Sequence, residues 1–378
     1  MIGQIINQIK YRLFDLSARS TGTSRSNTEH ILGALEWFNS SLLDEGGSAA
    51  KYSMITHGFT QGYPMATANW VPVLSRINQY YPEVYRQVFD GLEIEKELVN
   101  WVLRTQRRDG TFPAGYGDFM NQPPKVFNNG MIMHGLLDYY NVAGDQDLID
   151  ACKKSADWLM KVQSPDGSWR QFTVHQLSSN TVSGAALLRL ADITGDNQYR
   201  ASGIRNIEFA LGLQSENGYF KGNGYDSGSS AFTLTIAYAI GGLLEAAILD
   251  NNKEWQMAAL KGLVPILNTL GPNGFLVGEL DEQFQSASSF SCLPGNGLLA
   301  ILSYKLASLT GNDELRLKAD LLTDYIKKFQ LKSAQKGVSG GISGSWPISG
   351  NYCSYEITSW GVRYFLEAVM IQDSNKEN

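Results

Sequence analysis

The sequence predicts an all-α domain in which about six helical hairpins close into a ring, an (α/α)6 toroid. Three observations predict it. An aromatic residue, a Gln about five positions later and then Gly-x-aromatic return along the chain. Short Gly-Asp turns alternate with these longer glycine turns, and every second predicted helix is rich in Gly, Ala, Ser and Thr. A period of 50 to 60 residues accommodates two helices of about 15 residues and two connections, one hairpin per repeat.

The clear copies are NWVLRTQRRDGTF (Trp101, Gln106, Gly110, Phe112), DWLMKVQSPDGSW (Trp158, Gln163, Gly167, Trp169) and EFALGLQSENGYF (Phe209, Gln214, Gly218, Phe220). Their glycines stand 57 and then 51 residues apart, and each marks a helix end. Weaker echoes are NTLGPNGFL, with Gly274, and the C-terminal KKFQLKSAQKGVSGGISGSW; the first hairpin's EWFNSSLLDEGGSA lacks the aromatic ending. Between these turns VAGDQDLIDA, ITGDNQYRAS and LTGNDELRLK supply Gly as a left-handed helix stop and Asp or Asn as the next N-cap. The connections therefore alternate, short on one rim and long on the other.

Apolar spacing places outer helices near 28–44, 91–107, 147–163, 197–214, 253–270 and 313–331, and inner ones near 64–80, 126–141, 178–194, 229–250, 288–310 and 352–371. The ring domain spans 27–371, preceded by an amphipathic, basic strap over 1–26 and followed by a polar tail over 372–378. Small residues in GMIMHGLLDYY, TVSGAALLRLA and TIAYAIGGLLEAA suit helices packed on every side, which favours a closed ring over an open solenoid.

Of the 378 residues 43% are hydrophobic and only 18% charged, against roughly 25% charged in an average soluble domain. Much helix surface is thus buried. A net charge of −6 without a basic face argues against a nucleic-acid partner. Cys152, Cys292 and Cys353 form neither a disulfide framework nor a metal cluster, so no metal is expected and a cytoplasmic setting is the default. The opening lacks the apolar core and cleavage site of a signal peptide, and no run approaches 18 apolar residues. Residues 2–16 nevertheless carry Ile and Leu at helical spacing among basic residues. Such a segment either rests on a membrane surface or, the preferred reading, straps the domain.

The string QSPDGSW resembles the QW repeat of squalene-hopene and related terpene cyclases, whose toroid is built of such hairpins. That resemblance implies the fold rather than the chemistry, because the Asp-x-Asp-Asp acid of those cyclases is absent. Prenyltransferase β-subunits, also similar, imply zinc held by Asp, Cys and His, and no His stands near or after Cys292. Over most of its length the chain looks like the bacterial toroid proteins, of the prenyltransferase/squalene-oxidase-repeat type, that accompany surface-polysaccharide genes. The segments that carry this are TIAYAIGGLLEA from Thr235, SCLPGNGLLAI from Ser291 and GGISGSWPISGNYCSYEITSWGVRYFLEA from Gly340. Where that family has Pro-Glu-Thr-Thr-Gly, Phe-Asp-Thr-Gly and Leu-Thr-His-Thr, this chain has Pro64-Met65-Ala66-Thr67-Ala68, Phe127-Asn128-Asn129-Gly130 and Phe232-Thr233-Leu234-Thr235. Two carboxylates and an imidazole are thereby missing.

In such a ring the free N–H groups and positive ends of the inner helices converge on one mouth, which favours anionic or hydroxyl-rich ligands. Predicted ligand-binding residues there are Tyr63, Thr67, Asn69, Trp70, Asn128, Asn129, His175, Asn180, Ser229, Asn296, Tyr352 and Tyr355, since sugars need aromatic faces and directional polar partners. Hydrolysis of a glycoside wants two carboxylates, for which Asp118, Asp226 and Glu356 are the candidates. Elimination or epimerisation beside a uronate wants Tyr or His as base and acid, for which His57, His175, Tyr225 and Tyr352 are the candidates. At each of these positions helix capping is the competing role.

No phosphate loop or nucleophilic-serine elbow is present, so no cofactor is expected. The leading expectation is a carbohydrate-active protein, a hydrolase, lyase or epimerase acting on a bacterial glycan or lipid-linked glycan. The alternatives are a terpene or prenyl-substrate cyclase with a dry aromatic cavity, and a catalytically silent glycan-binding or assembly protein.

Overall fold

The computed structural model describes residues 4, 7–9, 11, 25–115, 119–173, 177–224 and 230–377. Among them the helices are α1 (Asn27–Ser40), α2 (Pro64–Tyr80), α3 (Pro82–Phe89), α4 (Ile94–Arg104), α5 (Val126–Ala143), α6 (Gln146–Val162), α7 (Thr181–Thr194), α8 (Asn197–Gly212), α9 (Thr233–Leu249), α10 (Lys253–Asn268), α11 (Leu293–Thr310), α12 (Asp313–Lys327) and α13 (Ser359–Glu377). Inner helices α2, α5, α7, α9, α11 and α13 pack each on the next, and α13 returns to lie against α1 and α2. The ring is closed, as expected.

Capping sets the boundaries. Ser26 starts α1 with a reciprocal capping box, its hydroxyl taking the Glu29 N–H while Glu29 takes the Ser26 N–H at 2.7 Å. Gly144, Gly195 and Gly311 end α5, α7 and α11 in the left-handed conformation, and Asp145, Asp196 and Asn312 cap the helices that follow. These are the short turns read from the sequence. The short helix α3, after the Pro82 start, was not foreseen.

Four inner helices begin later than periodicity placed them: α7 at Thr181, α9 at Thr233, α11 at Leu293 and α13 at Ser359. The reason is local. Their approaches are a 3-10 turn over Ser178–Asn180 and the short strands β3 (Ala231–Phe232), β5 (Ser291–Cys292) and β7 (Glu356–Thr358). β3 pairs with β4 (Glu279–Leu280) and β5 with β6 (Ser345–Trp346). β7 pairs with β1 (Lys51–Ser53), which also pairs with β2 (Gly58–Phe59), so a three-stranded ribbon joins the first and last long connections.

The recurring Gln and Gly are staples between neighbouring outer helices. Gln106 Nε2 donates to Gly110 O in its own turn at 2.9 Å and to Ala151 O of α6 at 2.8 Å. Gln163 repeats this towards Gly167 and Ser202 of α8, and Gln214 towards Gly218 and Ala258 of α10. The glycines have positive φ, and a Cβ on Gly110, Gly167 or Gly218 would overlap the carbonyl of Lys154, Arg205 or Lys261. The aromatic that follows, Phe112, Trp169 or Phe220, is fully buried.

At the N-terminus, described residues of the strap touch the domain. Tyr11 is buried in its core, and Asn7 donates to Ile55 O at 3.0 Å. No described helix is long and apolar enough to cross a membrane.

Candidate functional site

Because outer helices run towards the long connections and inner helices away from them, the inner N-termini gather on that rim. Around the axis there lies a cavity of about 200 Å³ lined by residues that include Tyr63, Asn128, Asn180, Thr235, Tyr352 and Trp360. Five of the six inner helices supply its wall through their first turn or the residues just before it; α11 does not. First-turn N–H groups lack helical partners and carry the positive end of the helix dipole. The rim therefore suits ligands rich in hydrogen-bond acceptors.

The polar wall is preorganised in pairs. Asn128 Nδ2 donates to the Tyr63 hydroxyl at 2.7 Å, Trp360 Nε1 donates to the Tyr352 hydroxyl at 3.0 Å, and Asn180 Nδ2 donates to Thr173 Oγ1 at 3.1 Å. Aromatic rings surround them, with Phe127 edge-on to Tyr238 at 4.8 Å and Phe232 edge-on to Tyr352 at 5.0 Å. Tyr238 forms the floor. Its hydroxyl takes a hydrogen bond from Tyr364, and burial, reinforced by Tyr364, holds the phenol well above its usual range, so it stays neutral.

Of the residues predicted for the mouth, Tyr63, Asn128, Asn180 and Tyr352 are brought together on this cavity. Thr67, Trp70, Asn129 and Asn296 are not: all four are wholly buried and hydrogen-bonded to the scaffold, although the Asn296 Oδ1 itself meets no partner among the described residues. Thr67 Oγ1 takes the Ser48 N–H, and Trp70 stacks on Phe38 and donates to Ser359 Oγ at 2.8 Å. Asn129 ties α5 to the Phe112 backbone and to Ser155, while Asn296 donates to Ser291. Asn69 donates to Met65 O and Met131 O and so staples α2 to α5 beneath the cavity. Helical periodicity fixes where such residues start a helix, not which way they face.

Glu356 forms an ion pair with Lys51 at 2.8 Å, and the Lys51 ammonium lies 5.8 Å from the Trp360 ring centroid. Burial pushes the neighbouring Cys353 thiol up to about 11. Tyr355, with φ of 58°, accepts the Met54 N–H through its carbonyl. His57 is exposed and bonded to Asn7 and Gln335, off the cavity wall. Asp118, His175, Tyr225, Asp226 and Ser229 lie outside the described residues.

The opposite end of the axis is also concave. A cavity of about 260 Å³ there is walled by charged residues from every inner helix, with Arg76, Asp138, Arg189, Glu245, Lys305 and Glu367 alternating in sign around the ring and Arg363 beside Glu367. They close on one another as the pairs Arg76–Glu367 at 2.8 Å, Arg189–Asp138, and Lys305–Glu245 at 3.9 Å. One layer deeper, Arg363 bonds Glu367 at 2.7 Å, and its guanidinium lies 4.2 Å from the Tyr364 ring centroid. Burial alone would raise the Glu367 carboxyl, but the two guanidiniums outweigh it and hold the group below its usual range. This girdle was missed in the sequence although it has a signal. Arg76, Asp138, Glu245 and Lys305 each stand 12 residues after the first residue of their helix.

Among the described residues no group of three His, Cys, Asp or Glu is placed to hold a metal ion.

A family model described as the catalytic domain of β-L-arabinofuranosidase, GH127, matches residues 93–227. No curated protein matches the chain in sequence. Solved structures share its fold. An unsaturated glucuronyl hydrolase specific for heparin superposes with a TM-score of 0.71 at 11% identity, covering 93% of this chain and 98% of its own. An unsaturated glucuronyl hydrolase from Bacillus sp. GL1, responsible for glycosaminoglycan degradation, gives 0.69 at 16% identity over 91% and 96%. Cellobiose 2-epimerase from Bacillus thermoamylovorans gives 0.69 at 14% identity over 95% and 99%.

Proposed function

We propose that this protein is a carbohydrate-active enzyme that binds a glycan in the long-loop mouth and hydrolyses or epimerises it there. The observation that carries this is the convergence of Tyr63, Asn128, Asn180, Thr235, Tyr352 and Trp360 on one cavity at the inner-helix N-termini. Aromatic faces beside fixed amides and hydroxyls are what hydroxyl-rich rings require. The GH127 match spans Lys125, Phe127, Asn128, Thr173, Ser179 and Asn180, six of the thirteen residues that line the cavity, and the structures of similar fold named above act on glycans. A cavity with this many fixed polar groups is a poor host for a terpene.

Within this reading Asp118, Tyr225, Asp226 and Glu356 are the acid–base candidates; the first three belong to loops that lead, in sequence, into α5 and α9. A bacterial surface glycan, free or lipid-linked, is the proposed substrate, with a cytoplasmic setting and residues 2–16 as the part able to touch a membrane. The test is a screen of neutral and uronic glycosides and bacterial exopolysaccharides, with Asp226→Asn and Glu356→Gln alongside. Turnover that both substitutions leave unchanged would remove those two acids; absence of sugar binding or turnover across the panel would overturn the reading.

A further inference from the structure

Glu279 was not singled out in the sequence, where it precedes the acidic pair Asp281 and Glu282 in a long connection. The fold gives it a different place from theirs. β4 pairs antiparallel with β3 so that Glu279 stands directly opposite Phe232. Opposed residues of such a pair share one face of the ribbon. The Phe232 ring meets Tyr352 at 5.0 Å, and Tyr352 lines the mouth cavity. Glu279 stands behind this wall rather than among the residues that line it; it is half-buried, and its carboxyl takes hydrogen bonds from the side chains of Asn351, next to Tyr352, and Ser230.

Its surroundings contrast with those of other long-loop acids. Glu356 is neutralised by Lys51, and Asp166 by Arg170. Asp109 and Asp281 are spent on N–H groups of their own turns. The groups that bond Glu279 are neutral, and burial outweighs them, raising the carboxyl above its usual range.

We propose that Glu279 is the proton donor of the mouth, the general acid that protonates the leaving oxygen of a glycoside bound against Tyr352. This rests on the glycan reading above. In the step, the Glu279 proton passes to the glycosidic oxygen as its bond to the anomeric carbon breaks. Water adds at that carbon and releases one proton, and solvent returns a proton to Glu279, so one water is consumed and no other reactant is needed.

The test compares parent, Glu279→Gln and Tyr352→Ala on nitrophenyl glycosides, whose leaving group needs no acid, and on matched alkyl glycosides or disaccharides, whose leaving group does. General acid catalysis contributes roughly 10²–10⁴-fold. Glu279→Gln is therefore expected to lose about that factor on alkyl substrates, to keep most nitrophenyl turnover, and to lose the basic limb of its pH profile. Equal effects on both substrates, or an unchanged basic limb, would overturn the assignment while leaving the glycan reading intact. Should the parent bind sugars, by Trp fluorescence that Tyr352→Ala abolishes, yet turn none over, the acid role falls and the binding site stands. No sugar binding at all sinks both.

Discussion

Gln330 and His30, 300 residues apart, are locked to each other by two hydrogen bonds, His30 Nδ1 to Gln330 Oε1 at 2.6 Å and Gln330 Nε2 to His30 O at 3.0 Å. Gln330 Nε2 also donates to Gly340 O at 3.0 Å. A Cβ on Gly340 would overlap the Gly33 carbonyl, so the last outer turn sits on α1 as the earlier repeat glycines sit on their own neighbours. The degenerate C-terminal echo of the repeat is thus the staple that shuts the ring.

Gln330→Ala removes a buried side chain that makes all three bonds and takes these partners from the His30 ring and the Gly340 carbonyl, while the His30 carbonyl keeps the Ala34 N–H of its own helix. Each buried group so stranded costs about 1–3 kcal/mol. The variant is expected to lose about 3–5 kcal/mol in urea unfolding, more than Gln163→Ala, whose amide is only part-buried. Equal losses at the two positions would show that closure is no different from any other repeat interface.

His30 gives this seam a pH dependence. Burial, only partly offset by the Gln330 bond, lowers its folded-state value to about 4, against an ordinary 6.5. The unfolded chain therefore takes up the proton first, and stability is full above about pH 6.5 and falls as pH drops towards 4. One proton corresponds to about 1.4 kcal/mol per pH unit inside that window. Unfolding of the parent measured between pH 7.5 and 4.5 is expected to show that slope in excess of His30→Leu; parallel curves would remove the assignment.

The repeat glutamines and glycines were legible because their roles are local: a helix must stop, a turn must take positive φ, and a carboxamide must bridge two backbones. The alternation of short and long connections follows from the same caps, and with it the rim that holds the mouth. Side-chain direction was not legible. Asn128 and Asn129 are adjacent and alike in sequence, yet one faces the cavity with Tyr63 and the other is sealed between α5, α6 and the Phe112 turn. Glu279 was hidden for a related reason, since its place depends on a two-residue ribbon between loops 48 residues apart. The charged girdle follows helix register and was within reach of a comparison of inner helices position by position.

That girdle predicts an asymmetric response to substitution. Glu367 is the carboxylate between Arg76 and Arg363, with its side chain only 12% exposed. Removing one partner of a buried pair costs roughly 3–5 kcal/mol, whereas replacing both by apolar groups is often neutral. Glu367→Gln is expected to destabilise by about that amount, and Glu367→Leu combined with Arg363→Met to recover most of it in thermal or urea unfolding. A double variant no better than the single one would contradict the account.

Ligand binding and stability are expected to separate between the mouth and the layer beneath it. Asn128→Ala removes one hydrogen bond from the Tyr63 hydroxyl beside a cavity that water can enter, so its stability cost is expected to stay near 1 kcal/mol. Sugar affinity should nevertheless fall at least about tenfold, equivalent to 1.4 kcal/mol. Trp70→Ala should do the reverse, since it deletes a ring stacked on Phe38 at 4.2 Å in the core, for which about 3–5 kcal/mol is the ordinary cost. Urea unfolding beside calorimetric titration of a bound saccharide gives both quantities for each variant. If Asn128→Ala binds sugar as the parent does while remaining folded, the cavity wall around Tyr63 is not where the ligand sits.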